Sequence, residues 1–308
     1  MATDRAEAER LLALAREAKL AGPEAPLWLE RLAPERERFV GAARFLVENG
    51  REDDAAELAA SVWRLWLTSG DTTGGRELLA AALDSGAAKP SRGRALALYG
   101  DGLLAFRAGA QAESKERNEA SLEIARAVGD REAEALALVG LSRVAFRDGD
   151  NERVRGLARE ARELTHDLAP ATGVAPLHLL AAGTRLAGEL DDAARLYRES
   201  LELNRRLGDQ RMVAVELHNL GHVELHRGDV AAAEESFAEC LELRDERDPY
   251  EAAMTHLNRA ALAFARGEHE RARDLLDRGD SALADAGIVL DPDDAFEVGW
   301  LRDRLSST

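Results

Sequence analysis

Three histidines in this chain are spaced so that they can act together. His218, His222 and His226 recur every four residues, and residues four apart lie on the same face of a helix. His178 precedes His218 by 40 residues. Imidazoles in such a row serve as metal ligands, as polar or pH-sensitive contacts to a ligand, or as ordinary structural side chains. All three interpretations are open from the spacing alone.

A metal site would use only part of this row. At about 1.5 Å rise per residue, the Cα atoms of His218 and His226 lie ~12 Å apart, too far for one Zn²⁺ to bind all three rings easily. A neighbouring pair with His178 is the remaining candidate ligand set. The segment 222–226 is not the metalloprotease helix, because Glu224 follows the first histidine by two positions. We predict no catalytic residue, metal or cofactor, and keep a metal- or histidine-dependent enzyme as an alternative.

The elements that position these residues recur at a fixed interval. Glycine followed by an acidic or small residue stands at positions 70, 109, 149, 188, 228 and 267, at alternating intervals of 39 and 40. A constant period of this length indicates a repeat array. Apolar residues recur at helical spacing on both sides of each glycine, as Leu217, Leu220 and Phe237 do around Gly228. The sequence therefore predicts an all-α protein of about six helix pairs, with no β-sheet.

The composition restricts the class of partner. The 308 residues carry a formal net charge of −17, which repels the phosphates of nucleic acids and anionic membranes. Cys240 is the only cysteine, so no intramolecular disulfide forms. No apolar run approaches the ~18 residues of a membrane span, and the first ten residues resemble no signal peptide. We predict a cytoplasmic protein that binds neither nucleic acid nor membrane directly.

The two ends of the chain depart from the period. We predict an N-terminal helical extension over residues 1–50, the repeats over 51–287, and a C-terminal capping helix within 288–308. The repeats open with one long helix over 52–69. The last helix starts at Pro292, with Asp293 and Asp294 as acids that favour a helix start. The alternative for this helix is that it folds back into the groove as an internal inhibitor.

Aligned on their glycines, the units resemble tetratricopeptide repeats. The unit that begins at Ala214 fills the packing positions of that family with Leu217, Leu220, Gly221, Gly228, Ala233 and Phe237. The usual unit has about 34 residues, and the longer period here resembles the long-helix variants of bacterial peptide-sensing and scaffold proteins. The resemblance implies a right-handed superhelix of helix pairs.

A second resemblance is more local. Residues 28–79, with Trp63 and Trp66 in the segment AASVWRLWLTSG, are similar to the sensor region of STAND-class ATPase transcription regulators of actinobacterial type. In those proteins the sensor follows an ATPase module. This chain contains no G-x-x-x-x-G-K-[ST] phosphate loop, so the resemblance implies only the sensor part.

The tetratricopeptide resemblance also implies which residues face a ligand. In such arrays the first helix of each unit lines the concave groove, and carrying its inward positions over gives a set rich in Arg and His within an acidic chain. Arg forks bind carboxylate or phosphate, and Asn219, beside the groove, is a candidate clamp for a peptide backbone. The predicted ligand-binding residues are Arg64, Tyr99, Arg107, Arg143, Phe146, Arg147, His178, Arg185, His218, Asn219, His222, Leu225 and His226. The alternative is that these arginines pair with acids on neighbouring helices.

These observations lead to one favoured function. We predict a non-catalytic binding module, an adaptor or stand-alone sensor, that holds a peptide or protein partner or a small anionic ligand in a basic groove. Besides the enzyme alternative, a third hypothesis is a structural homo-oligomer in which a second copy covers the groove or the cap.

Overall fold

The computed structural model describes residues 3–22, 24–84, 89–244, 248–286 and 290–307. Within these ranges all regular structure is helical and no strand occurs, as the sequence predicts. None of the described helices has the length and apolar content to cross a lipid bilayer. The predicted boundary between residues 287 and 288 lies outside the described residues.

The chain divides into two compact units, Met1–Val144 (unit 1) and Ala145–Thr308 (unit 2). Unit 1 contains α1 (Arg5–Glu17), α2 (Ala25–Leu32), α3 (Arg36–Glu48), α4 (Glu52–Val62), α5 (Arg64–Ser69), α6 (Thr72–Leu83), α7 (Arg92–Arg107), α8 (Gln111–Val128) and most of α9 (Arg131–Arg147). Unit 2 contains α10 (Asn151–Thr165), α11 (Val174–Leu186), α12 (Leu190–Leu207), α13 (Gln210–His226), α14 (Val230–Leu243), α15 (Pro249–Ala265), α16 (His269–Ala286) and α17 (Pro292–Ser306). Short 3-10 turns occupy Ala33–Glu35 and Pro170–Gly173.

The six periodic glycines all adopt the left-handed backbone conformation, with φ between 74° and 81°. Only glycine enters this region without a steric penalty, so each one reverses the chain between two helices. The acidic residue that follows caps the next helix where its side chain is short enough. Asp150 and Asp229 each accept a backbone hydrogen bond of 3.1 Å, from Arg153 and Ala232 respectively. The sequence period is therefore a period of helix reversals.

Residues 52–69 form two helices instead of the predicted one. The chain tightens at Trp63, because the Trp66 amide donates to the Trp63 carbonyl three residues earlier, at 3.1 Å. Both indole rings are buried, and Trp63 meets Tyr99 edge-on at 6.1 Å between ring centroids. The break turns the following residue, Arg64, into the start of α5.

Small residues on the first helices allow the second helices to pack closely. Gly221 on α13 faces Phe237 on α14, and a Cβ at position 221 would lie 2.5 Å from the ring. The Phe237 side chain is fully buried, so the ring has no free space to move into. The repeat packing therefore depends on the absence of a side chain at position 221.

We expect Gly221→Ala to lower the free energy of unfolding of unit 2 by about 1–3 kcal/mol, because the added methyl overpacks against Phe237. Gly156→Ala on α10 is the matched control. A Cβ there meets nothing within 4 Å, and alanine favours the helix, so this variant should gain ~0.5–1 kcal/mol. Urea unfolding followed by circular dichroism measures both. Equal effects of the two variants would contradict the packing role of Gly221.

Candidate functional site

Unit 2 brings most of the predicted ligand-binding residues together on two helices. α11 carries His178 and Arg185, and α13 carries His218, Asn219, His222 and His226. The partners of most of these side chains come from α17, the C-terminal helix. Three α17 carboxylates, Asp293, Asp294 and Glu297, lie against this surface, and all three are buried. We call these residues of α11, α13 and α17 the unit 2 site.

Asp294 is held by two neighbours from different helices. His218 Nε2 donates to Asp294 Oδ1 at 2.8 Å, and the Tyr250 hydroxyl on α15 donates to Asp294 Oδ2. Burial alone would raise the pKa of Asp294, but His218 and Tyr250 outweigh it and lower that pKa to about 2. Burial also lowers the pKa of His218 to about 4. At neutral pH the pair is therefore a neutral imidazole donating to a carboxylate.

Glu297 lies between the other two histidines of the row. His226 Nε2 donates to Glu297 Oε2 at 2.8 Å, and His222 Nδ1 lies 3.3 Å from the same oxygen. The other ring nitrogen of His222 lies 3.1 Å from Asn258 Oδ1 on α15. Burial would raise the pKa of Glu297, but the two imidazoles and Arg185 hold it well below its usual value. Glu297 is thus a buried carboxylate anion.

Arg185 is the buried cation of this site, and only some of the N–H groups of its guanidinium form hydrogen bonds. Its Nη1 donates to Asn219 Oδ1 at 2.9 Å, so Asn219 orients the guanidinium. The nearest oxygens of Asp293 and Glu297 are 3.4 and 3.6 Å away. Among the described residues, Arg185 Nε and Nη2 and Glu297 Oε1 are buried without a hydrogen-bond partner. The ion pairs are therefore too long or too misaligned to satisfy the fork.

Asp293 is the least favourably placed of the three carboxylates. Burial and repulsion from Asp294 raise its pKa to about 6, although Arg185 opposes this. Its ionised form is therefore penalised at neutral pH, in contrast to its neighbour. Two adjacent carboxylates share one arginine, and the second gains less than it loses by leaving water.

The remaining unit 2 predictions have local roles. His178 contacts Glu216 at 3.0 Å, and Glu216 also accepts from Ser200. Arg147 lies 3.7 Å from Asp291, just before α17. Phe146 and Leu225 pack with apolar neighbours in the core. The predicted alternative of arginines pairing with acids on other helices thus describes part of unit 2.

α17 itself has two different faces. Val298, Leu301 and Leu305 are buried in the apolar cluster formed with α15 and α16. The acidic residues of its first turns point to α11 and α13 instead. α17 thus packs its apolar residues on α15 and α16 and its acidic residues on α11 and α13, and the two roles considered for it, a cap and an internal inhibitor, stay predictions.

The sequence interpretation missed these acids. It assigned Asp293 and Asp294 to a favourable position at a helix start, where they do lie, but Asp291 is the N-cap and both side chains make the contacts described above. Glu297, Tyr250 and Asn258 were not predicted at all. A usable signal existed, since Asp293, Asp294 and Glu297 form an acidic edge beside the apolar stripe of Val298 and Leu301.

The ligand-binding residues predicted in unit 1 differ from those in unit 2, because two of their arginines contact aromatic side chains. Arg64 lies over the Trp63 ring at 4.5 Å, and Arg143 donates to the Tyr99 hydroxyl at 3.4 Å. Arg107 is exposed at the end of α7. No carboxylate of the described residues lies within ion-pair distance of Arg64 or Arg143.

The histidine row does not form a metal site in the described part of the chain. His218 and His222 approach to 4.8 Å between ring centroids, but each ring is committed to its own oxygen acceptor. No group of three or more His, Cys, Asp or Glu side chains within the described ranges is arranged to hold a metal ion.

Comparison with known proteins identifies the repeats. Residues 174–246, which comprise α11 to α14, match the family model described as Tetratricopeptide repeat. The chain contains tetratricopeptide repeats. No curated protein matches it. The resemblance of residues 28–79 to STAND sensor regions is not tested by these matches and stays a prediction.

Solved structures with the same kind of repeat extend the likeness over nearly the whole chain. A Rap protein complexed with Competence and Sporulation Factor is 16% identical, with a TM-score of 0.62, over 96% of this chain and 80% of that one. NprR in complex with its cognate peptide NprX is 18% identical, with a TM-score of 0.60, over 96% and 82%. A tetratricopeptide repeat protein from Parabacteroides merdae ATCC 43184 is 12% identical, with a TM-score of 0.51, over 81% and 93%. At these identities the likeness establishes the fold, an all-α array of tetratricopeptide-type helix pairs.

The opposite pKa shifts of the two adjacent aspartates give a paired prediction. Asp293, with its pKa raised to about 6, favours the docked helix when protonated, and this contribution is lost as the pH rises from about 4 to 6. Asp293→Asn should therefore strengthen α17 docking at pH 8 by up to about 3 kcal/mol, at ~1.4 kcal/mol per pKa unit, with little effect at pH 4.

Asp294→Asn is the matched control with the opposite sign. Its low pKa means that the carboxylate stabilises docking at every pH above about 4, so this variant should weaken docking at pH 8. Hydrogen-exchange protection of the α17 amides, corrected for intrinsic rates, measures both. If both variants lower protection equally at pH 8, the assignment of the two roles is wrong.

Proposed function

We propose that this chain is a non-catalytic binding module, an adaptor or stand-alone sensor, whose unit 2 site recognises an acidic peptide segment. One observation carries the proposal: side chains from α11 and α13 converge on three carboxylates of a single helix. α17 displays the chemistry that this surface accepts, namely two successive acids and a third one turn later. A partner segment with that pattern would take the place of the acidic turns of α17.

The Arg185 guanidinium has N–H groups without acceptors, which favours replacement of the acidic turns of α17 by another acidic segment. A buried N–H group without an acceptor costs about 1–3 kcal/mol, and Arg185 has such groups at Nε and Nη2. A carboxylate that approached the guanidinium in bidentate geometry would recover this energy. An incoming acidic segment therefore has favourable contacts available that α17 does not make.

The way α17 is attached also suits exchange. Its acidic residues lie in the first turns, where the helix has unpaired N–H groups and frays most readily. Its apolar residues, Val298, Leu301 and Leu305, lie further along and are anchored against α15 and α16. Fraying of residues 292–297 would expose Arg185 and the histidine row while the rest of the helix stayed packed.

A peptide is the ligand class that fits best. Asn219, whose side-chain oxygen already accepts from Arg185, also donates to its own helix at Val215, so it holds the fork rigidly toward α17. NprR, which shares the fold, holds the peptide NprX. We extend this ligand class to the present chain and propose that its peptide is distinguished by acidic side chains.

Neutralising the two stabilising acids of α17 should open the site to a peptide in solution. The probe is a fluorescein-labelled peptide with the sequence of residues 290–307, followed by fluorescence anisotropy. The full chain with Asp294→Asn and Glu297→Gln should bind it about tenfold or more tightly than the unaltered chain, because the internal competitor is weaker. Asp303→Asn, an exposed acid of the same helix, is the matched control and should change nothing.

The same assay tests whether binding depends on the acidic side chains of the peptide. A peptide with Asp294→Asn and Glu297→Gln should bind the opened chain about tenfold or more weakly, since charge-assisted contacts are lost. Adding Arg185→Gln to the opened chain should weaken the acidic peptide by a similar factor. Equal affinity for the acidic and neutral peptides would contradict the proposal.

A further inference from the structure

Unit 1 contains two arginines that form no ion pair within 4 Å with a carboxylate of the described residues. Arg64 starts α5 and Arg143 lies on α9, and both side chains are partly buried. Arg64 lies over the Trp63 ring, and Arg143 donates to the Tyr99 hydroxyl. This differs from Arg185 in unit 2, which has carboxylates on two sides.

The acids in the neighbourhood are already paired with other arginines. Arg92 binds Asp130 at 2.8 Å and Glu132 at 2.6 Å. Arg16 binds Asp54 and Glu57, at 3.0 and 2.6 Å. None of these carboxylates approaches Arg64 or Arg143 within 4 Å, so the two arginines keep their guanidinium groups out of the close ion pairs formed around them.

The aromatic groups link the two arginines into one cluster. Arg64 stacks on Trp63, Trp63 meets Tyr99 edge-on at 6.1 Å, and Tyr99 accepts from Arg143. Tyr99 and Trp63 are both buried, so they form a fixed floor. Burial is the largest effect on the pKa of Arg64 and lowers it; Tyr99 and Glu132 oppose this, and repulsion from Arg143 adds to it.

An open cleft adjoins Arg64. It has a volume of about 940 Å³ and lies between the end of α1, α4 and the start of α7. Ala60 and Leu96 supply a half-buried apolar wall, and Ser61 adds a hydroxyl group beside Arg64. The lining also contains the cations Arg16, Lys19 and Arg92 and the carboxylates Asp53 and Glu57. A ligand with a negative group at Arg64 has apolar surface at Ala60 and Leu96 for the rest of its structure.

We propose that Arg64, Arg143 and Tyr99 form a second binding site, which holds an oxyanion, carboxylate or phosphate, of a ligand whose apolar part lies on Ala60 and Leu96. Guanidinium forks bind both oxyanions through charge-assisted hydrogen bonds, and the Tyr99 hydroxyl is a further donor. The site shares no residue with the unit 2 site. It needs no displacement of another element, because its cations have no carboxylate partner to release.

The test uses the full chain and three simple probes: inorganic phosphate, acetate and N-acetyl-leucine. ¹⁵N NMR of the arginine Nε–H groups follows each titration, with signals assigned by single variants. Arg64 and Arg143 should shift saturably with all three probes. N-acetyl-leucine should bind at least about fivefold more tightly than acetate, because its side chain buries apolar surface in the cleft.

Arg64→Gln and Arg143→Gln should each weaken phosphate binding by about tenfold or more, since each removes a charge-assisted contact. Arg107→Gln is the matched control, because it removes the same charge from an exposed position on α7. Circular dichroism verifies that all three variants fold. Arg185→Gln, which disables the unit 2 site, should leave phosphate binding unchanged, so the two proposals fail independently.

Two results would overturn the proposal. One is the absence of a saturable shift at Arg64 and Arg143 with any probe. The other is an equal loss of binding in Arg107→Gln, which would mean that the anions respond to overall charge and not to this site. Equal affinities of acetate and N-acetyl-leucine would show that the ligand gains nothing from an apolar part, which would contradict the proposed ligand class.

Discussion

The organisation of this molecule depends on one constraint: a charged group that leaves water needs a partner of opposite charge. In unit 2 the partners of Arg185 and the histidine row are supplied by the C-terminal helix, which brings Asp293, Asp294 and Glu297 onto α11 and α13. In unit 1 the corresponding arginines rest on aromatic groups, and no described carboxylate reaches them. We therefore propose that the same repeat architecture presents one site that is occupied internally and one that is open.

The internal occupant is a compromise between packing and electrostatics. Val298, Leu301 and Leu305 bury apolar surface on α15 and α16, which anchors the helix. The acidic turns that precede them satisfy His218 and His226 well but leave Arg185 partly unsatisfied and force two carboxylates together. The later turns of α17 therefore anchor the helix, whereas its first turns are held less favourably. On the proposed function, this division lets α17 act both as a structural cap and as a competitor of the acidic peptide.

Much of the fold could be predicted from the sequence, because its signals are local. The glycines at 70, 109, 149, 188, 228 and 267 each need a left-handed backbone, and their constant spacing reveals the helix pairs. The partners within the site could not be predicted in the same way. Asp293 and Asp294 at a helix start are explained equally well by the helix dipole, and only the folded chain shows them against Arg185 and His218. The break at Trp63 could not be predicted from the sequence either, because it depends on how two buried indole rings pack among neighbouring helices.

The ¹⁵N NMR spectrum of the arginine side chains of the unaltered chain, with and without inorganic phosphate, distinguishes an internally paired arginine from an open one. We expect Arg185 to exchange its Nε proton slowly and not to respond to phosphate, because α17 shields it, whereas Arg64 and Arg143 should respond. A spectrum in which Arg185 responds and Arg64 and Arg143 do not would show that internal pairing does not decide which site is open.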